Sequence, residues 1–231
     1  MAVYRVCGLG LEMFPQYSEL GDRAKPFLDD GAPVSIRLFW DEEEIKALCA
    51  ATGLSEPLAE YQLSCIRFCQ AILAYGGFVL HASAVKYGGQ VYLFSAPSGV
   101  GKSTHASLWV GCLEGARVIN DDKPAIRLID GVPYAYGTPW CGSGRLTAND
   151  GGRVRALYFL RRSEQNLAYA MEKSCVPYLL FESTLRPVDK EGMDSLFSCL
   201  DGFVRSVGVF GLDCNTEDGA VYAALSVLEE E

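Results

Sequence analysis

Val91-Tyr92-Leu93-Phe94-Ser95-Ala96-Pro97-Ser98-Gly99-Val100-Gly101-Lys102-Ser103-Thr104 decides the fold. An apolar run long enough for one buried strand feeds a glycine-bearing loop, and the loop opens into a helix. The pattern is A-x-x-x-x-G-K-S, one residue from the phosphate-binding loop G-x-x-x-x-G-K-[ST]. Such a loop turns backbone N–H groups inward onto phosphate oxygens, and Gly99 and Gly101 supply the backbone freedom this requires. The cradle expected for a nucleotide is Ala96, Pro97, Ser98, Gly99, Val100, Gly101, Lys102, Ser103 and Thr104. Lys102 would reach the β- and γ-phosphates, Ser103 Oγ would ligate Mg²⁺, and the helix N-terminus would add its positive end. Ala96 stands where the motif has glycine, so that position must keep a negative φ or tolerate a methyl group.

Working outward, Phe78 to Val85 reads as a strand, and Lys86-Tyr87-Gly88-Gly89 as the turn of a hairpin whose second strand is Gln90 to Ser95. After the loop, a helix is expected from Gly101 to about Leu113. Arg117-Val118-Ile119-Asn120-Asp121-Asp122 then reads as a short strand ending in two carboxylates. A nucleotide-bound Mg²⁺ wants a second carboxylate at the end of a strand beside the loop strand. Ser103 and Asp122 are the expected metal ligands. Adjacent strand residues point to opposite sides, so the other aspartate is free to act as general base for a hydroxyl. Which of Asp121 and Asp122 takes which role is not fixed by the sequence. His81, on the strand next to the loop strand, is a further candidate near the transferred phosphoryl group. The expected catalytic set is Asp121, Asp122, His81 and Lys102.

The rest of the chain alternates strands and helices. Tyr4 to Met13 reads as a strand, Gln16 to Asp30 as irregular, and Val34 to Trp40 as a half-exposed strand. Asp41 caps a helix to about Ala51, with Glu42, Glu43 and Glu44 in its first turn. Leu58, Tyr61, Cys65, Phe68, Ile72 and Tyr75 recur at helical spacing, and such a stripe reads as core. Pro124 to Asp130 and Val132 to Tyr136 suggest a hairpin across Asp130-Gly131. Gly137 to Arg145 is a loop suited to face the acceptor. Arg155 to Leu160 and Asn166 to Met171 are strands, and Glu172 to Leu185 and Lys190 to Phe203 are helices. Ser206 to Asp213 is a strand and Thr216 to Glu230 a last helix. His105 is expected to face sideways, towards a nucleotide base or solvent. Arg145, Arg161 and Arg162 are candidates to neutralise transition-state charge.

Composition narrows the classes. The 231 residues carry a net charge of −9, which argues against general binding of nucleic acid or anionic membrane. No apolar run approaches a membrane span, and the N-terminus lacks a signal-peptide layout, so a cytoplasmic protein is expected. The nine cysteines include no C-x-x-C pair, and with two histidines a zinc site is improbable; reduced thiols are expected. Cys141, in the glycine-rich loop, reads as a bystander.

His81-Ala82-Ser83-Ala84-Val85, Ser95 to Thr104, and Ile119-Asn120-Asp121-Asp122 together resemble the kinase domain of the HPr kinase/phosphorylase family. The likeness spans residues 78 to about 128. It implies a mixed α/β fold akin to phosphoenolpyruvate carboxykinase over residues 76–231, with a small N-terminal α+β lobe over residues 1–75. It implies His81 as an active-site residue, and Asp121 and Asp122 as base and metal-side carboxylate. It also implies ATP and Mg²⁺ as cofactors. The family's later glycine-rich signature for recognising HPr is missing, and the N-terminal part does not look like the usual regulatory domain. The resemblance is therefore closer to small HPr kinase-like proteins found with peptide-modification genes, in which a serine of a peptide or protein is the acceptor. A small-metabolite kinase and a nucleotide-binding regulatory protein without transfer activity stay open as alternatives. A carboxykinase-type reaction fits less well, because the chain is short and poor in histidine. The expected partners are a nucleotide and a peptide, protein or small-molecule hydroxyl acceptor, and a homo-oligomer is compatible with the sequence.

Overall fold

A computed structural model describes residues 2–172 and 174–229. The chain begins with a three-stranded sheet, β1 (Ala2–Val6), β2 (Leu9–Met13) and β3 (Val34–Arg37), followed by helices α2 (Glu42–Thr52) and α3 (Glu56–Ala71). The expected single strand from Tyr4 to Met13 is a hairpin. Cys7 and Gly8 both take positive φ, 45° and 79°, and make a two-residue turn inside an apolar run that hides it. The stretch expected to be irregular contains a short helix, α1 (Ser18–Ala24). Tertiary contacts hold it: the buried carboxylate of Glu60 accepts the amides of Gln16 and Tyr17 at 2.6 and 3.0 Å. The α2 start is as expected. Asp41 accepts from the Glu44 amide at 2.8 Å, and the Glu44 carboxylate accepts the Asp41 amide in return.

Among the described residues the main sheet has nine strands and mixes parallel with antiparallel pairs. Its centre is β6 (Gln90–Ser95), flanked by β5 (Ala82–Tyr87), antiparallel, and β10 (Gly151–Arg162), parallel. The β5–β6 turn has both Gly88 and Gly89 at positive φ, as a two-residue hairpin requires. β7 (Arg117–Asn120) pairs with β5 on the far side. β4 (Gly77–Val79), β8 (Ala125–Ile129) and β9 (Val132–Tyr136) continue the sheet, with β9 meeting the first residues of β10. β12 (Gly208–Cys214) lies parallel to β10, and β11 (Leu167–Ala170) pairs with β12. Thus β10 is much longer than the expected Arg155 to Leu160, because it serves different neighbours at its two ends. The expected strand Phe78 to Val85 breaks at Leu80-His81: β4 joins β8, and β5 joins β6.

Helices α4 (Lys102–Cys112), α6 (Lys190–Ser206) and α7 (Gly219–Ser226) cover the sheet, and α5 (Val176–Glu182) precedes α6. The helix expected from Glu172 to Leu185 is limited to α5, with Lys173 outside the described residues. The last helix is also shorter than expected, and Glu230 lies outside the described residues. α4 lays Lys102, His105, Ala106 and Trp109 on one inward face against Tyr92, Phe94 and Tyr158 of the sheet. Each fully buried large apolar side chain contributes about 1.5–3 kcal/mol. A second cluster joins the first 75 residues to the rest: Phe68 stacks on Trp140 with ring centroids 4.6 Å apart, and Val79 and Ala125 pack in the same cluster. No helix among the described residues is long and apolar enough to cross a membrane.

Candidate functional site

The glycine loop sits between the end of β6 and the start of α4. Gly99 and Gly101 adopt φ of 81° and 124°, which side chains rarely take, and Ala96 stays out of the left-handed region. The sequence expectation for all three positions therefore holds. Lys102 is buried, and its ammonium folds back to donate to the carbonyl of Ala96 at 2.9 Å. Burial lowers its pKa from the ordinary lysine value, against the opposing pull of Asp122. Ser103 and Thr104 stay exposed on the first turn of the helix.

The acid pair is set by Asn120, the last residue of β7. Its side-chain oxygen accepts the amides of Asp122 and Lys123 at 2.9 and 2.6 Å. Its amide nitrogen donates to the carbonyls of Thr138 and Trp140. One side chain thus shapes the bend that carries both aspartates and ties down the loop after β9. Asp121 turns to that loop and accepts from the Gly142 amide at 2.5 Å and the Leu146 amide at 3.4 Å. Asp122, on the same bend beyond the end of β7, turns the other way. His81 Nε2 lies 3.1 Å from Asp122 Oδ1, and Lys123 Nζ pairs with Oδ2. Burial pushes the Asp122 carboxyl up, but His81 and Lys123 outweigh it and hold the pKa at about 2. The strand break at Leu80-His81 places the imidazole here. The His81 amide donates to Ser183 at 2.7 Å, and its carbonyl accepts from Ser95 Oγ at 3.0 Å.

These groups meet in one cleft of about 460 Å³, lined by His81, Ser98, Gly99, Gly101, Lys102, Ser103, Thr104, Asp121, Asp122, Gly142 and Ser143. Ala96, Pro97 and Val100 of the expected cradle are not in that lining. The hydroxyl and carboxylates are hard oxygen donors, the chemistry that suits Mg²⁺ beside a phosphate. Among the described residues no cluster of three or more His, Cys, Asp or Glu forms a metal cage.

Several expectations change. His105 does not face solvent. It is 2% exposed on the inner face of α4, where its Nε2 accepts from Trp109 Nε1 at 3.0 Å. Burial lowers its pKa to about 4. The tryptophan one helical turn later was the available signal. None of the three candidate arginines lines the cleft. Arg145 pairs with Glu19 and Arg161 with Asp213, while Arg162 braces the glycine loop by donating to the carbonyls of Gly99 and Val100. Cys141 is a buried thiol whose pKa burial raises and Arg23 pulls down, without a histidine partner.

The residues that hold the cleft's second wall carry no functional signal in the sequence. Arg23 of α1 donates to the carbonyls of Cys141 and Gly142 at 2.7 and 3.0 Å, and to Glu19 at 2.6 Å. Tyr61 Oη donates to the Cys141 carbonyl at 2.7 Å and accepts its amide at 2.6 Å. Tyr61 sits in a stripe that reads as core, and nothing local marks Arg23.

No family model matches this sequence, and no curated protein matches it. Among solved structures the chain is similar to the HPr(Ser) kinase/phosphatase from Coxiella burnetii. The match covers 66% of this chain and 95% of that one, at 9% identity and a TM-score of 0.36, a remote likeness.

Proposed function

We propose that this chain is an ATP- and Mg²⁺-dependent phosphotransferase, working in the cytoplasm, that moves the γ-phosphoryl group to a hydroxyl, a serine of a peptide or protein. One observation carries the reading. The glycine loop, the lysine, the helix N-terminus, two carboxylates and an imidazole all open into a single cleft. The resemblance of the same three sequence stretches to the HPr kinase family supports it, with the phosphoenolpyruvate carboxykinase-like fold that this implies.

Each residue has a task in this reading. The loop amides bind the phosphates, and Lys102 exchanges the Ala96 carbonyl for a phosphate oxygen. Ser103 and one aspartate hold the metal, which when bound offsets phosphate charge. Asp122 already carries His81 and Lys123, so we assign the metal side to Asp121 and the acceptor side to Asp122, reversing the sequence expectation. The acceptor hydroxyl gives its proton to Asp122, which His81 orients. Its oxygen bonds to the γ-phosphorus as the bond to the β-phosphate oxygen breaks and ADP leaves. A carboxylate near pKa 2 is a weak base, which suits a loose transition state asking mainly for position and charge.

The test is nucleotide titration with transfer of labelled γ-phosphate to serine peptides. Wild type binds ATP and labels a peptide; Lys102→Ala loses at least tenfold in ATP affinity. Unchanged affinity in Lys102→Ala overturns the site, and ATP binding without transfer to any acceptor makes the chain a nucleotide-binding regulator.

A further inference from the structure

His81 has two faces. One looks into the phosphate cleft. The other lines a separate cavity of about 480 Å³ between α3 and the segment after α5, whose walls include Leu58, Cys65, Ile66, Cys69 and Leu185. That volume lies in the range of ligand pockets. Half of the helical stripe that the sequence presents as core therefore borders an open groove. The groove and the cleft share His81, and Lys123, the partner of Asp122, stands in the groove wall.

We propose that this groove seats the acceptor, a peptide segment whose serine or threonine is flanked by apolar side chains. The proposal rests on the phosphotransferase reading above and names its substrate class. Position gives the first argument. An acceptor lying in the groove brings its hydroxyl to His81, which lines both spaces and stands 3.1 Å from Asp122. The proton then passes to Asp122 and the phosphoryl group arrives from the cleft.

Charge gives the second argument. Lys123 is paired with Asp122, and Glu182 at the groove with Arg186. An ionised group entering the groove would lose water and find no unpaired counter-charge among the described lining residues, whereas an apolar side chain loses nothing polar. Polar groups in the wall separate a peptide from a plain apolar alcohol. The groove has a polar border, with Gln62, Ser183 and Thr184 among its lining. Thr184 directs its hydroxyl proton to the carbonyl of Phe181, which leaves its oxygen as an acceptor for a peptide N–H group, while Ser183 donates to the carbonyl of Leu179 and already accepts from Ser95.

The test uses two peptide series with one central serine, flanked by leucine and valine in one and by glutamate and lysine in the other. Octanol serves as a small apolar alcohol. The apolar series is expected to be phosphorylated with a KM at least tenfold lower than the charged series. Leu58 is 42% exposed, so Leu58→Glu is compatible with folding. It should raise KM for the apolar series at least tenfold while ATP affinity holds, and Leu58→Met should restore the wild-type KM. A fluorescent apolar peptide with alanine in place of serine reads the groove without chemistry and should bind wild type more tightly than Leu58→Glu. Equal KM for the two series, preference for octanol, or no effect of Leu58→Glu on either measurement overturns the groove assignment. If the alanine peptide binds as expected but ATP does not, the groove stands as a peptide site and the transfer reading falls.

Discussion

The guanidinium of Arg23 donates to the main-chain carbonyl of Cys141 at 2.7 Å, across 118 positions of sequence. The same group reaches Gly142, whose amide donates to Asp121. A residue of the first helix thus fixes the strand of loop on which a cleft carboxylate hangs. Arg23→Met should take one donor each from the Glu19 carboxylate and the Cys141 and Gly142 carbonyls, which keep the Arg145 side chain, Tyr61 and the Arg145 amide, at a cost of about 1–2 kcal/mol. The expected outcome is a lower urea midpoint, faster proteolysis between residues 137 and 146, and weakened transfer. ATP affinity should persist, because Arg23 does not touch the glycine loop.

The two aspartates should separate by what they hold. Asp122→Asn strips Lys123 and His81 of their counter-charge inside the fold, and about 2–4 kcal/mol of stability should go with it. Asp121→Asn keeps an oxygen for the Gly142 amide and should cost less than half as much. Both should reduce transfer by at least a hundredfold, so paired denaturation and activity measurements on both variants check the assignment. Wild-type stability has a matching acid limb. The Asp122 carboxyl has a folded pKa of about 2 against an ordinary value of 3.8, so its contribution is complete above pH 4 and is lost as pH falls towards 2.

His105 predicts a second pH limb with a different window. Its folded pKa of about 4 lies below the ordinary 6.5, so the unfolded chain takes up the proton first as pH falls. Stability should be whole above pH 6.5 and decline by about 3 kcal/mol on the way to pH 4. Urea midpoints from pH 7.5 to 4.5 would show the decline in wild type and a flatter profile in His105→Gln. Equal slopes for both proteins would remove His105 as the cause.

A methyl group at Gly144 would stand 2.8 Å from Asp121 Oδ2. The obstacle is the end of a side chain, so the fold can absorb it, but the carboxylate must turn. Gly144→Ala is therefore expected to change the denaturation midpoint little, within about 0.5 kcal/mol. Transfer should fall about tenfold with ATP affinity unchanged. A variant with full activity would show that the position of Asp121 is not critical.

What the sequence made legible follows from the range of the forces involved. Gly99 and Gly101 declare their backbone needs in one residue each, and Asp41 with Glu44 closes a cap within four positions. The Gly88-Gly89 turn is local in the same way, so the hairpin and the loop could be read directly. His81 was legible only through the company of the glycine loop and the acid pair. Its actual setting depends on the break after Leu80 and on Ser183, a hundred residues later, and no local pattern encodes that. The short helix α1 depends on the carboxylate of Glu60, and His105 is drawn inward by Trp109 on the same helix face. Arg23 and Tyr61 act through main-chain atoms of a distant loop, and main-chain acceptors leave no trace in side-chain identity.

The parallel pairing of β6 with β10 has a consequence for synthesis. When the ribosome has delivered the chain through Ser143, every residue of the cleft exists, yet the strand that feeds the glycine loop has only β5 beside it. Its other hydrogen-bonding edge stays open until Val154 to Phe159 emerge, a ready template for wrong pairing. A nascent chain arrested before Gly151 should therefore bind chaperones and fail to retain ATP. One arrested late enough to expose Arg162 should bind chaperones less and retain ATP better, so that the cleft matures during translation with the arrival of a strand that contributes nothing to its lining.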